Sequence, residues 1–168
     1  MKKFSLICLS IIILSGLLFS GCSTKTEPIP LSTSIQTGED IKITLSANRT
    51  VYKASGINAD NLFDYKITIE YTGDEEGITI YHSSSIGCFN MIDENDVPIV
   101  EAAVHSDLTT TVLKKNEPII VEWNGKFEYE QENNFTNGIY TIEAFIPLRT
   151  TENGNDSKYI LELPLIIE

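Results

Sequence analysis

Tyr65-Lys66-Ile67-Thr68-Ile69-Glu70-Tyr71 decides the fold of this chain. Its apolar residues fall on every second position, which is the period of a strand with one face buried and the other in water. Ile41, Ile43 and Leu45 alternate in the same way with Lys42, Thr44 and Ser46. At the end of the chain Tyr159, Leu161, Leu163, Leu165 and Ile167 share one face, while Pro164 on the other lacks an amide donor and predicts an edge position. Further short strands are expected over 78–82, 86–92, 97–104, 109–113, 119–123 and 139–148. Turn chemistry separates them: Gly73-Asp74-Glu75-Glu76-Gly77, Asp93-Glu94-Asn95-Asp96 and Lys114-Lys115-Asn116-Glu117-Pro118. Asn-Gly recurs at Asn124-Gly125, Asn137-Gly138 and Asn153-Gly154, a pair that suits the positive backbone angles of tight hairpins. Past Cys22 no segment sustains a helical stripe for three turns, and 59–64 offers a single turn at most. Many short strands with regular turn signals predict an all-β protein, an antiparallel sandwich.

The start of the chain has a different character. Met1-Lys2-Lys3 is positive, the uncharged stretch from Phe4 to Phe19 follows, and then come Ser20-Gly21-Cys22. This is the layout of an export signal. The sixteen residues from Phe4 to Phe19 fall short of the about 20 that a spanning helix needs. An ordinary secretory cut wants small residues at both the third and the last position before it, and Phe19 with Gly21 does not supply them. A cysteine directly after small residues resembles the lipobox of bacterial lipoproteins. That resemblance implies cleavage between Gly21 and Cys22, a diacylglycerol on the Cys22 thiol, and a place on the outer face of the cell membrane. Residues 1–21 are then signal. The Pro- and Ser/Thr-rich residues 22–38 read as a lipidated tether, and 39–168 as the folded domain, with order expected to begin near Asp40.

Loss of the signal removes Lys2 and Lys3 and no acid. The mature chain thus carries ten basic against 24 acidic residues, a net charge of 10 − 24 = −14. So acidic a body lacks the positive footprint that phosphate recognition needs, which argues against nucleic acid as a partner. It is also repelled by anionic lipid, so membrane attachment falls to the diacylglycerol on Cys22. Cys8 leaves with the signal and Cys22 is capped, so Cys88 stands alone, in the apolar setting Ile86-Gly87-Cys88-Phe89, where a structural thiol is expected. With no disulfide framework, burial must hold the core together.

Catalytic and metal chemistry find little footing. His82 and His105 are the two histidines, and two scattered imidazoles do not make a zinc site. Ser83-Ser84-Ser85 reads as a polar strand edge or loop rather than a nucleophile elbow. Asp93, Asn95 and Asp96 offer oxygens for calcium, but Val97 stands at the fifth position of an EF-hand pattern and no glycine at the sixth. Glu152-Asn153-Gly154-Asn155-Asp156 is a second oxygen-rich loop. No cofactor is implied. Tyr129, Phe135 and Tyr52 serve either as anchors for a protein partner or as covers for the sandwich ends. Leu108-Thr109-Thr110-Thr111-Val112, uncharged and rich in β-formers, is either an exposed edge open to strand addition or a paired inner strand.

Gly138-Ile139-Tyr140-Thr141-Ile142 resembles the tyrosine corner of immunoglobulin-like sandwiches, in which the tyrosine hydroxyl bonds back across the corner. Ile142 stands at the core position that carries cysteine in antibody domains, and Trp123 is too near Tyr140 to be their tryptophan. The order of Trp123, Gly125, Gly138 and Tyr140 is similar to the BsuPI-like family of Gram-positive bacteria, named for an intracellular proteinase inhibitor. The resemblance covers roughly Ile41 to Leu148 and rests on Trp123, Gly138 and Tyr140 as structural markers. It implies an immunoglobulin-like sandwich and, through the family's name, protease inhibition, for which no inhibitory residue here can be matched. The sequence thus yields a lipid-anchored, non-enzymatic binding module as the leading expectation. An inhibitor-like module and a hydrolase with dispersed loop residues are the rivals.

Overall fold

The computed structural model describes residues 32–37, 40–56, 63–103, 106–123, 135–154 and 157–168. Cys22 and Gly21, His105, Tyr129 and the Asn124-Gly125 pair lie outside them. The chain forms two sheets packed face to face, the all-β sandwich that the alternation predicts. Its strands are β1 (Ser32–Thr37), β2 (Ile41–Ala47), β3 (Val51–Tyr52), β4 (Tyr65–Tyr71), β5 (Gly77–His82), β6 (Cys88–Asp93), β7 (Pro98–Val100), β8 (Thr109–Lys114), β9 (Ile119–Glu122), β10 (Gly138–Arg149) and β11 (Ser157–Ile167), with one turn of 3-10 helix at Ala54–Gly56. One sheet has the order β1-β2-β4-β9. The other has seven strands, β3-β11-β10-β5-β8, with the β6–β7 hairpin also held on β10.

The alternation of the sequence becomes the wall of the core. Ile41, Ile43 and Leu45 of β2 and Tyr65, Ile67 and Ile69 of β4 are buried against Ile142, Ala144 and Ile146 of β10 and Leu161, Leu163 and Leu165 of β11. Each such aliphatic side chain taken fully from water contributes about 1.5–3 kcal/mol. One end is closed by aromatic rings. Trp123 stacks on Phe89 with centroids 5.3 Å apart, and Phe63 meets Tyr52, Trp123 and Phe135 edge-on. Phe135 and Tyr52 therefore act as covers of the sandwich, with Tyr52 only 4% exposed.

Three departures from the sequence reading have physical causes. β1 lies inside the stretch whose composition reads as tether, so regular structure is already present at Ser32–Thr37, ahead of Asp40. Its six residues pair in register with Thr37↔Lys42 through Ser32↔Ala47, and the ladder compensates for poor local burial. Secondly, the sandwich is not wholly antiparallel, because Val51 and Tyr52 of β3 run parallel to Ile166 and Ile167 of β11. β3 covers only that end, and the rest of β11 is an outer strand with Pro164 exposed, as its missing amide requires. Thirdly, the left-handed backbone among the described non-glycine residues is supplied by Asp96 (φ 62°) and Asn116 (φ 63°), while Gly138 and Gly154 do not adopt positive φ. Asn137-Gly138 leads into β10 instead of forming a hairpin tip.

β10 is the spine of the larger sheet. On one side it pairs with β11 from Gly138 to Leu148. On the other it pairs with β6 over Tyr140–Phe145 and with β5 at Leu148 and Arg149, so the ladder skips Ile146 and Pro147. Pro147 has no N–H to donate, and the partner chain swells there into Ser83–Gly87. That swelling frees β5 to carry β8 outward as the last strand of the sheet.

Candidate binding edge

β8 pairs with β5 from Gly77↔Lys114 to His82↔Thr109 and, among the described residues, has no strand on its other side. The Lys115 amide donates to Glu76 O at 3.0 Å, which sets the phase of the ladder. Hydrogen-bonded pairs alternate along antiparallel strands, so the main-chain groups of Thr109, Thr111 and Leu113 face β5 and those of Thr110 and Val112 face outward. Among the described residues nothing meets those outward groups. Leu108 and Val112 are 51% and 58% exposed. Among the described residues the stretch 108–112 is therefore an exposed edge and not a paired inner strand.

The edge is fixed from behind. Leu113 is buried, and His82, 7% exposed, bonds with both ring nitrogens. Nδ1 donates to the carbonyl of Ser83, which can only accept, and Nε2 meets Thr111 Oγ1 at 2.8 Å. His82 is thus brought to a hydroxyl, but to a threonine of the edge strand, and no carboxylate among the described residues bonds to it. The three residues tie β5, the swelling after it and β8 together. Ser83 Oγ donates to Ser85 O, and the Ser84 amide to Asp107 Oδ1, so the serine run is a structured loop flanking the edge.

The other sequence candidates take structural places. Tyr140 Oη donates to Thr136 O at 2.8 Å, the bond that defines a tyrosine corner. Trp123 is buried, and its amide donates to Tyr65 O. Gly138 leaves ordinary van der Waals room beside the Tyr140 ring. In the β6–β7 turn, Asp93 Oδ1 accepts the amides of Val97 and Asn95, each at 2.8 Å. The Val97 bond above all holds this exposed carboxyl below its ordinary range. Its oxygens are engaged by the turn itself. Cys88 Sγ points to Phe145 O, and burial, aided by the charge of Glu143, pushes its thiol above the usual value, the opposite of an activated cysteine. A hollow of about 100 Å³ lined by Lys42, Glu70, Tyr71, Asn116 and Pro118 is smaller than the roughly 300 Å³ of small-molecule sites.

The sequence marked 108–112 as a possible edge through its lack of charge. It did not mark His82 as the residue behind that edge, because only the β5–β8 register brings positions 82 and 111 together. Comparison of the chain with known protein families, with curated proteins and with solved structures finds no match.

Proposed function

We propose that this chain is a lipid-anchored extracytoplasmic lipoprotein whose folded body is a non-enzymatic binding module. It takes an extended segment of another polypeptide by strand addition at β8. The anchor is supported by the leader ending in Gly21-Cys22. The binding role is carried by one observation, the outward amide and carbonyl groups of Thr110 and Val112 on an uncharged edge. Such groups are a template for another strand, and natural edges without a partner are usually blunted by charge, proline or a bulge. Here Lys114 and Lys115 stand only at the far end of the stretch.

Thr110→Pro is the direct test. It removes an N–H that bonds to nothing among the described residues, a substitution that edge strands tolerate. The lipidated protein should capture a partner from native membranes, Thr110→Pro should lower that capture at least tenfold with an unchanged melting temperature, and Ile120→Thr on the opposite sheet should leave it intact. Equal capture by Thr110→Pro would refute the edge as the binding element.

A further inference from the structure

A different surface carries an inference beyond the edge strand. The outer face of the seven-stranded sheet is ordered in rows that run across β11, β10 and their neighbours. Val51, Ile166 and Ile139 stand in register as one apolar row, with Val51 41% and Ile139 58% exposed. The next row holds Pro164, Thr141 and Ile92. Then come Glu162, Glu143 and Asn90, and after them Ile160, Phe145 and Cys88, with Ile160 49% exposed.

Glu143 and Glu162 are direct cross-strand partners. Like charges in that relation repel, and sheets generally avoid them. Asn90 Nδ2 donates to Glu143 Oε1 at 2.7 Å, which orients that carboxylate without neutralising it. Among the described residues no lysine or arginine pairs with either glutamate; the two ion pairs found there, Lys42–Glu70 and Lys114–Glu117, lie elsewhere. A doubled negative charge thus sits between two partly exposed apolar rows, one step along the strand from Ile160–Phe145 and two steps from Ile166–Ile139. Successive rows are about 7 Å apart.

We infer that this face docks a basic extended segment of a partner protein, one lysine or arginine meeting Glu143 and Glu162 while apolar residues two positions to one side and four to the other cover Phe145–Ile160 and Ile139–Ile166. The charge pair selects the sign of the partner, and the apolar rows supply the contact that a bare acidic patch lacks. An extended segment has the same rise per residue as β10, so its alternate side chains reach the three rows together.

The test uses the ¹⁵N-labelled full chain in detergent micelles and two synthetic peptides, Val-Thr-Val-Thr-Lys-Thr-Phe-Thr and its counterpart with Glu in place of Lys. The lysine peptide should move the amides of Ile139, Glu143, Phe145, Ile160 and Glu162, and the glutamate peptide should bind at least tenfold more weakly. The double variant E143Q/E162Q should weaken the lysine peptide at least fivefold, whereas Glu75→Gln in the acidic turn should not. The spectrum of each variant reports its fold directly. Shifts centred on Asp74–Glu76 or on Thr110 and Val112, equal affinity for both peptides, or unaltered binding by E143Q/E162Q would each overturn the inference.

Discussion

Tyr65 shows what a single residue contributes to joining the sheets. Its ring is 2% exposed among β4 neighbours, and its Oη–H crosses the core to Pro164 O on β11 at 2.7 Å. Burial, with Tyr52 nearby, pushes the phenol well above the usual tyrosine range. A folded value above the unfolded one means that the contribution of this group is full below about pH 10 and is lost as pH rises toward the folded value. Tyr65→Phe should therefore cost about 1 kcal/mol at pH 7 in urea unfolding, the net worth of one buried hydrogen bond. The gap between the two proteins should narrow above about pH 10, because phenylalanine has no proton to lose. A constant gap would mean that packing, not the hydroxyl, sets the difference. That Tyr65 faces inward was legible from its place in the alternation. Its bond to a carbonyl 99 residues away was not, since nothing local encodes which strand lies opposite.

At the scale of elements, the edge strand depends on how closely β8 approaches β5. A Cβ at Gly77 would stand 2.7 Å from Leu113 O and 3.1 Å from Lys114 Cα. Both are main-chain atoms, so no side chain can swing aside. Gly77→Ala should lower stability by about 1–3 kcal/mol, the range for overpacking, and hydrogen exchange should place the loss at β8. Uniform loss across both sheets would show that β8 is not an independent unit. Alternation revealed β2, β4 and β11 because each has one wet face and one dry face. It missed β1, where Ser, Thr and Gln give no pattern and the ladder to β2 supplies the order. Strand boundaries near Pro147 depend on sheet order, which only the folded chain provides. The Glu143–Glu162 pair was hidden for the same reason, because each glutamate alone is an unremarkable outward residue.

The molecule combines a strongly acidic composition with sheet edges that no other described strand covers and with partly exposed apolar rows. Its charge, −12 over the full chain and −14 if the proposed signal is removed, gives it nothing to attract an anionic membrane. Each buried methylene of an acyl chain contributes about 0.8 kcal/mol, and two chains are needed for stable attachment. Under the proposed anchor the whole of membrane retention passes through one sulfur. Retention of the wild-type protein should accordingly stay unchanged in washes from 50 mM to 1 M salt, about a 4.5-fold change in Debye length. Cys22→Ala should abolish retention at every salt concentration or leave the precursor uncut. Salt-dependent release of the wild type would assign the attachment to charge. Retention of a processed Cys22→Ala protein would assign it to the folded surface, and the outer-face rows would then be the first place to look for the contact.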